Sequence, residues 1–528
     1  MATTSPGRVA GATPIVPPAF RRDRLAVAAL VVLALALRAP NLGRAYWIDE
    51  GISVGIASHP LSQLPHLLHE DGSPPLFYAL LHFWIRMVGT SEVATHIFPL
   101  LCSLAAVPLA YWAGKDIFDR RAGLAGAALL ATSPFLGWYS TETRMYPLVV
   151  VLSIVGVTFA MKAVRDRRRR DAVWAVLAFA ALLYTHDWGL YLLAVTAGVF
   201  LTLALARRDR ELAVGVLAAG AATLLLWAPW IPSFIEQARN TAAPWAVRPQ
   251  IGDFFADAAS ALGGTLAPLI APLLAAGAWY TRRRRPIRDG QLAGVLCAIG
   301  VLTAVLGFLG AQIEPSWTIR YLAVIVAPLL LAAAGALASS REGRAVVIAV
   351  CALLAGWSVI GTLLPNPNAR YAKSNVAAVA AAAAPALEPG DVVVVTQTEQ
   401  VAVLAHYLPR GLRYVTPTGP VPDPLVVNWR NLIARLQRAD PCSAVAPSLD
   451  SLPVGAHVLL VNPDRELGAA GTAWYNAVSA QVIQDDYLLA ADRSLVPVRS
   501  YAEATNPRPY APVVAELYRK TAGTSACS

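Results

Sequence analysis

Residues 25–37 read LAVAALVVLALAL, and residues 38–51 continue as RAPNLGRAYWIDEG. Arg21-Arg22-Asp23-Arg24 precedes the apolar run, and Arg38-Ala39-Pro40-Asn41 ends it where a cleaved leader would carry small residues. The run therefore reads as a retained first membrane crossing and not as a removable signal. Just beyond it, the adjacent carboxylates Asp49 and Glu50 stand behind Tyr46-Trp47, an aromatic pair of the kind that settles at a membrane–water interface.

The same alternation of apolar run and charged break continues along the chain. Further runs begin near His96, Ala122, Met145, Ala172, Trp188, Leu212, Ser260, Gln291, Trp317 and Ala345, which predicts about eleven helical crossings. Basic clusters recur at Lys115 with Arg120-Arg121, Arg165 to Arg170, Arg207-Arg208, Arg282 to Arg285, and Arg341 with Arg344. Two crossings separate each cluster from the next, so all of them fit a cytoplasmic face. One apolar stretch, Pro75 to Met87, breaks that count and is too short to span; it is expected as a juxtamembrane helix in the first outer loop, with Ser73 as its cap and a proline in its first turn. The segment Ala172 to Ala206 must cross twice, broken at Thr185-His186-Asp187.

Composition agrees: 56% of residues are hydrophobic, 14% are charged and mean hydropathy is +0.51, which excludes an ordinary soluble domain. The net charge of +10 lies in the inter-run clusters, so it speaks for topology and not for a nucleic-acid partner. The predicted organisation is a tail over 1–24, a transmembrane catalytic domain over 25–364, and, after the breaker-rich Pro365-Asn366-Pro367-Asn368, a small α/β domain over 365–528. In that last domain Asp391 to Val395 and His457 to Val461 read as buried strands, and Val376 to Ala384 and Trp429 to Arg438 as helices. By the crossing count it faces an oxidising compartment, where Cys442 and Cys527 are expected to pair.

The polar breaks opposite the basic clusters carry the candidate chemistry. Asp49 or Glu50, partly buried against apolar surface, suits a general base; a solvated loop pair is the plainer alternative. His66, His69, Glu70 and Asp71, followed by Gly72-Ser73-Pro74-Pro75, have the composition of a divalent-metal site but the spacing of none; an exposed amphipathic helix is the alternative. Glu142 and Arg144, in Glu142-Thr143-Arg144-Met145-Tyr146, lie at membrane depth, where a charge is paired or functional. His186 and Arg320 occupy two further breaks and suit a phosphate, since a guanidinium fork bonds two oxygens at once, whereas an arginine reaching for headgroups is the bland account.

The ordered set Asp49-Glu50, Asp71-Gly72-Ser73-Pro74-Pro75-Leu76, Glu142 to Tyr146, His186 and Arg320-Tyr321-Leu322 resembles the C-type (GT-C) membrane glycosyltransferases over about Arg38 to Leu337. It is nearest the bacterial family 39 group related to protein O-mannosyltransferases and aminoarabinose transferases. The resemblance implies a sugar carried on a polyprenyl phosphate and transferred, with inversion, to a glycan, lipid or protein acceptor at the outer face of the plasma membrane. It implies Asp49 as the catalytic acid position, Glu50 as the neighbour that helps place the acceptor, and Glu142 at a position where relatives have Asp or Glu. Arg144, Arg320 and His186 would meet the donor phosphate, and Asp71, Ser73 and Tyr146 would line the donor or acceptor loop; where relatives often have His before Pro-Pro, this chain has Ser73. A divalent metal is compatible with the family but is not fixed by the sequence. A lipid or solute transporter, or a non-catalytic cell-envelope scaffold, are the competing classes; no inverted repeat of the transporter kind is visible.

Overall fold

The computed structural model describes residues 18–241, 243–283, 286–363, 373–464, 471–502, 511–521 and 527; the linker Pro365 to Asn368 and Arg284-Arg285 lie outside them. The membrane domain begins with α1 (Pro18–Arg38), α2 (Ile48–Ser58), α3 (Leu64–Asp71), α4 (Pro75–Val88) and α5 (Glu92–Ile117). It continues through α6 (Arg120–Ala131), α7 (Pro134–Tyr139), α8 (Tyr146–Asp166), α9 (Arg169–Leu183), α10 (Gly189–Ala206), α11 (Arg210–Trp227) and α12 (Ile231–Asn240). It closes with α13 (Ile251–Gly263), α14 (Ala267–Thr281), α15 (Ile287–Ile313), α16 (Ala323–Ala338) and α17 (Arg341–Leu363).

Eight segments of the described residues are long and apolar enough to cross a membrane: α5, α8, α10, α15 and α17, α11 with α12, α13 with α14, and α16 with the short turn before it. The other three expected crossings correspond to α1, to α6 followed by α7, and to α9. Two of these are short for physical reasons. Ser133 accepts the Leu136 N–H and Pro134 starts α7, which stops α6 after 12 residues; α9 has 15 and ends at Leu183, before the Thr185-His186-Asp187 break. α4, with 14 residues, is the short apolar helix expected over Pro75 to Met87. Its cap is Pro74 and not Ser73, because Pro75 takes the first helical position and no side chain satisfies the free amides.

Ion pairs tie the first four basic clusters together at one end of the bundle. Arg120 and Tyr111 bind Asp23 at the start of α1, Lys162 and Arg165 bind Asp116 at the end of α5, and Arg167 pairs with Asp209 before α11. α16 is the central helix, buried along nearly its entire length against its neighbours, so the turn that precedes it, with Arg320, is held rigidly at the opposite end.

Beyond the bundle, α18 (Val376–Ala383), β1 (Val392–Val395), α19 (Val401–Tyr407), β2 (Arg413–Thr416), β3 (Gly419–Pro420), α20 (Leu432–Arg438), β4 (His457–Pro463), α21 (Ala473–Ala491), β5 (Leu495–Tyr501) and β6 (Val513–Lys520) build an α/β domain. The sheet order is β3-β2-β1-β4-β6-β5, with β1 parallel to β2 and β4 and the remaining pairs antiparallel. The four valines of β1 are buried on both faces, as a central parallel strand requires. α20 starts at Leu432, later than the expected Trp429, because Asn431 sits in the left-handed region with φ +52°. Cys442 and Cys527 form a disulfide with Cα atoms 5.5 Å apart.

This domain is docked on the carboxylate end of the bundle. A Cβ built on Gly55 of α2 would lie 2.1 Å from the Leu425 carbonyl oxygen, and one on Gly51 2.7 Å from the Val403 backbone, so only glycine permits this approach. Tyr407 accepts the Tyr46 N–H and donates to Glu92, and Arg430 pairs with Glu70.

Candidate active site

α2 begins directly after Trp47, whose extended backbone (φ −116°, ψ −178°) caps the helix. Asp49 and Glu50 therefore occupy the first turn, where unpaired amides and the helix dipole favour negative charge. Consecutive residues on a helix point about 100° apart, and the two carboxylates separate accordingly. Glu50 turns inward: its Oε1 lies 2.6 Å from His96 Nε2 and accepts the Thr143 N–H at 2.8 Å. The other His96 nitrogen lies 2.7 Å from the Leu42 carbonyl, which can only accept, so Nδ1 carries a proton. Burial alone would raise the Glu50 pKa, but His96, Lys373 and the Thr143 amide outweigh it and hold the carboxyl below its usual range.

Asp49 turns the other way. Its Oδ2 accepts from Arg320 at 3.0 Å and lies 3.9 Å from Arg144 Nε. Arg144 also donates to Ser53 Oγ and Tyr78 Oη, each at 3.1 Å, and Tyr78 donates to Asp71 at 3.2 Å. Burial lifts the Asp71 carboxyl above its usual range although Arg144 opposes it. Asp71 and Ser73 thus reach the cluster through Tyr78 and through each other. The side chains of Asp49, Arg144 and Arg320 stay partly exposed, at 14, 12 and 11%, against 3% for Glu50.

His186 packs its ring 4.8 Å from Tyr321 and 6.0 Å from Tyr146, so the His186 break does meet the Arg320 break. It does so as a neutral ring: Nδ1 accepts the Trp188 N–H at 3.2 Å, and burial, with Arg144 and Arg320 nearby, pushes its pKa down to about 3. Only a neutral N–H is left to offer a phosphate. The Tyr146 hydroxyl is buried without a hydrogen-bond partner. Glu142 does not join the Asp49 cluster; it is wholly buried and one of its oxygens holds Lys373. A cavity of about 600 Å³ opens beside these groups, and its lining includes Trp47, Trp138, Glu142, Arg320 and Lys373 together with Leu37, Leu354 and Trp357. A second cavity of about 340 Å³ lies among α8 to α11 near Arg167 to Arg169, at the other end of those helices.

Residues 72–233 match the sequence model of the family described as Dolichyl-phosphate-mannose-protein mannosyltransferase. Two solved structures of ArnT from Cupriavidus metallidurans align with almost the full chain. The form bound to undecaprenyl phosphate does so with TM-score 0.61 and 16% identity and the apo form with 0.59 and 15%, each over 94% of this chain and 98% of that one. The chain shares the fold of these ArnT structures. No curated protein matches its sequence.

Within this fold the polar side chains of residues 66–71 do not converge on one point. His66 is exposed and 3.9 Å from Glu70, His69 pairs with Glu236, Glu70 with Arg430, and Asp71 with Tyr78, so the four point to different partners. Among the described residues no cluster of three or more His, Cys, Asp or Glu has metal-binding geometry. Several site residues were not singled out in the sequence. Ser53 lies in a stretch for which no element was expected, Tyr78 on the apolar helix expected over Pro75 to Met87, and His96 at the start of an apolar run. Lys373 did carry a signal, being one of only four lysines in a chain with 43 basic residues.

Proposed function

We propose that this protein is a glycosyltransferase that moves a sugar from a polyprenyl-phosphate donor to a hydroxyl of a glycan, lipid or protein acceptor at the extracytoplasmic face, with inversion. The observation that carries the reading is the partly exposed Asp49 side chain held between Arg320 and Arg144 beside the cavity. Guanidiniums at such a place seek an anion, and a donor phosphate would compete with Asp49 for both of them. Asp49 then becomes free to take the acceptor proton as the acceptor oxygen bonds to the anomeric carbon. The sugar–phosphate bond breaks on the opposite side, and the charge that grows on the leaving phosphate falls on Arg320 and Arg144. A membrane-confined leaving group needs no nucleotide site, and the apolar residues among the cavity's lining, Leu37, Leu354 and Trp357, suit a prenyl chain.

The outward orientation is supported by the Cys442–Cys527 disulfide, which belongs in an oxidising compartment, and by the basic clusters at the far end of the bundle. Incubating the purified protein in lipid with a panel of polyprenyl-phosphate sugars tests the activity: release of polyprenyl phosphate with one of them is expected, and release with none would refute it. A cysteine placed at Val454, which is 70% exposed on the α/β domain, should be labelled by an impermeant reagent on intact cells; labelling only after permeabilisation would reverse the orientation.

A further inference from the structure

Lys373 is the first described residue after the last membrane helix, yet its ammonium lies in the transferase site. Its main chain belongs to the α/β domain. The Lys373 carbonyl accepts the Ala511 N–H at 2.7 Å, and two residues on, Asn375 bonds both the carbonyl and the amide of Val513, the first residue of β6, at 2.8 and 2.7 Å. From that fixed root the side chain reaches into an aromatic cage, with Nζ 5.0 Å from the Trp138 ring, 5.2 Å from Trp47 and 5.7 Å from Tyr139. Rings at that range hold a cation without neutralising it.

The cage places Lys373 next to Arg320. The Arg320 guanidinium lies 5.6 Å from the same Trp47 ring, so two cations flank one indole and both line the 600 Å³ cavity. Each has a carboxylate as its present partner: Arg320 has Asp49 and Lys373 has Glu142. Glu142 is a one-handed clamp, since its Oε1 makes no hydrogen bond although it is wholly buried. A lysine is a compact charge on a flexible stem and can change partners while its backbone stays still.

We propose that Lys373 is a further cation of the donor-phosphate site, delivered by the α/β domain and held on Glu142 until a polyprenyl phosphate takes it. This rests on the donor reading above and extends it: the α/β domain completes the site instead of merely covering it. Glu142 is then a positioning residue for Lys373.

The test is a titration of the full-length protein in lipid nanodiscs with undecaprenyl phosphate and, separately, with undecaprenol, which has the same chain and no phosphate. Lys373→Gln should weaken undecaprenyl phosphate at least about tenfold, the loss of a charge-assisted contact, and leave undecaprenol unchanged. Because the single change strands Glu142 as a buried unpaired charge, the double variant Lys373→Gln with Glu142→Gln is measured as well, and the same selective loss is expected. Parent affinity for the phosphate in the double variant, or equal weakening of both ligands, overturns the proposal. Arg320→Gln in the same assay separates the two levels of the argument. If it loses the phosphate while the lysine variants keep it, the lysine proposal alone is wrong; if it too keeps parent affinity for the phosphate, the donor reading fails with it.

Discussion

Asp49 and Glu50 are neighbours in the chain, identical in charge and one methylene apart in length, and they sit in the same helical turn. Glu50 is sealed behind α2, where it joins His96 of α5 to the Thr143 backbone. Asp49 is left at the edge of the cavity region with two guanidiniums and no backbone donor bonded to its side chain among the described contacts. The difference is a matter of helix geometry, since a step of about 100° sends one carboxylate to the bundle and the other to the site. One acid fixes the wall and the other faces the chemistry.

The comparison can be broken at several points. The largest effect on stability is expected from Glu50→Gln, which removes the charge of a buried pair and leaves His96 facing an amide. Breaking a buried pair from one side costs about 3–5 kcal/mol, so the melting temperature should fall well below that of the parent, whereas Asp49→Asn should leave it nearly unchanged. Equal melting temperatures for the two variants would erase the distinction. A smaller effect is expected from Arg320→Lys or Arg144→Lys: a point charge cannot reproduce the fork, and a loss of roughly tenfold in donor affinity, or about 1.4 kcal/mol, should follow in equilibrium binding. Unchanged affinity in both would make them structural. Smallest is Tyr78→Phe, which deletes one hydrogen bond to Arg144 and one to Asp71; about 1 kcal/mol, seen as a several-fold weaker donor, is the expected size.

Much of the fold was legible because the bilayer imposes a length and a charge rule on every segment. The long apolar runs, the break at His186 and the short helix expected over Pro75 to Met87 all follow from those rules, and each has its counterpart among the helices. Contacts that join distant segments were less legible. Nothing in the spacing of Glu142 and Lys373 relates them across 231 positions, and the polar partners Tyr78 and His96 lie in apolar stretches that report packing alone. The partners of His69 and Glu70 lie on α12 and in the segment before α20, which local sequence does not foresee. The paired cysteines were legible because only two lie in the α/β domain.

The account turns on Asp49 acting as the base, and Asp49→Asn measures that most directly because it keeps the shape of the side chain but cannot take a proton. General base catalysis typically contributes about 10² to 10⁴ in rate. With a polyprenyl-phosphate sugar that the parent uses, Asp49→Asn should turn over at least about a hundredfold more slowly by that measure, while its affinity for undecaprenyl phosphate does not fall below the parent's, since the anion that competes for Arg320 and Arg144 is gone. Sugar transfer by Asp49→Asn at the parent rate would contradict the account, leaving the base to be sought elsewhere in the cluster.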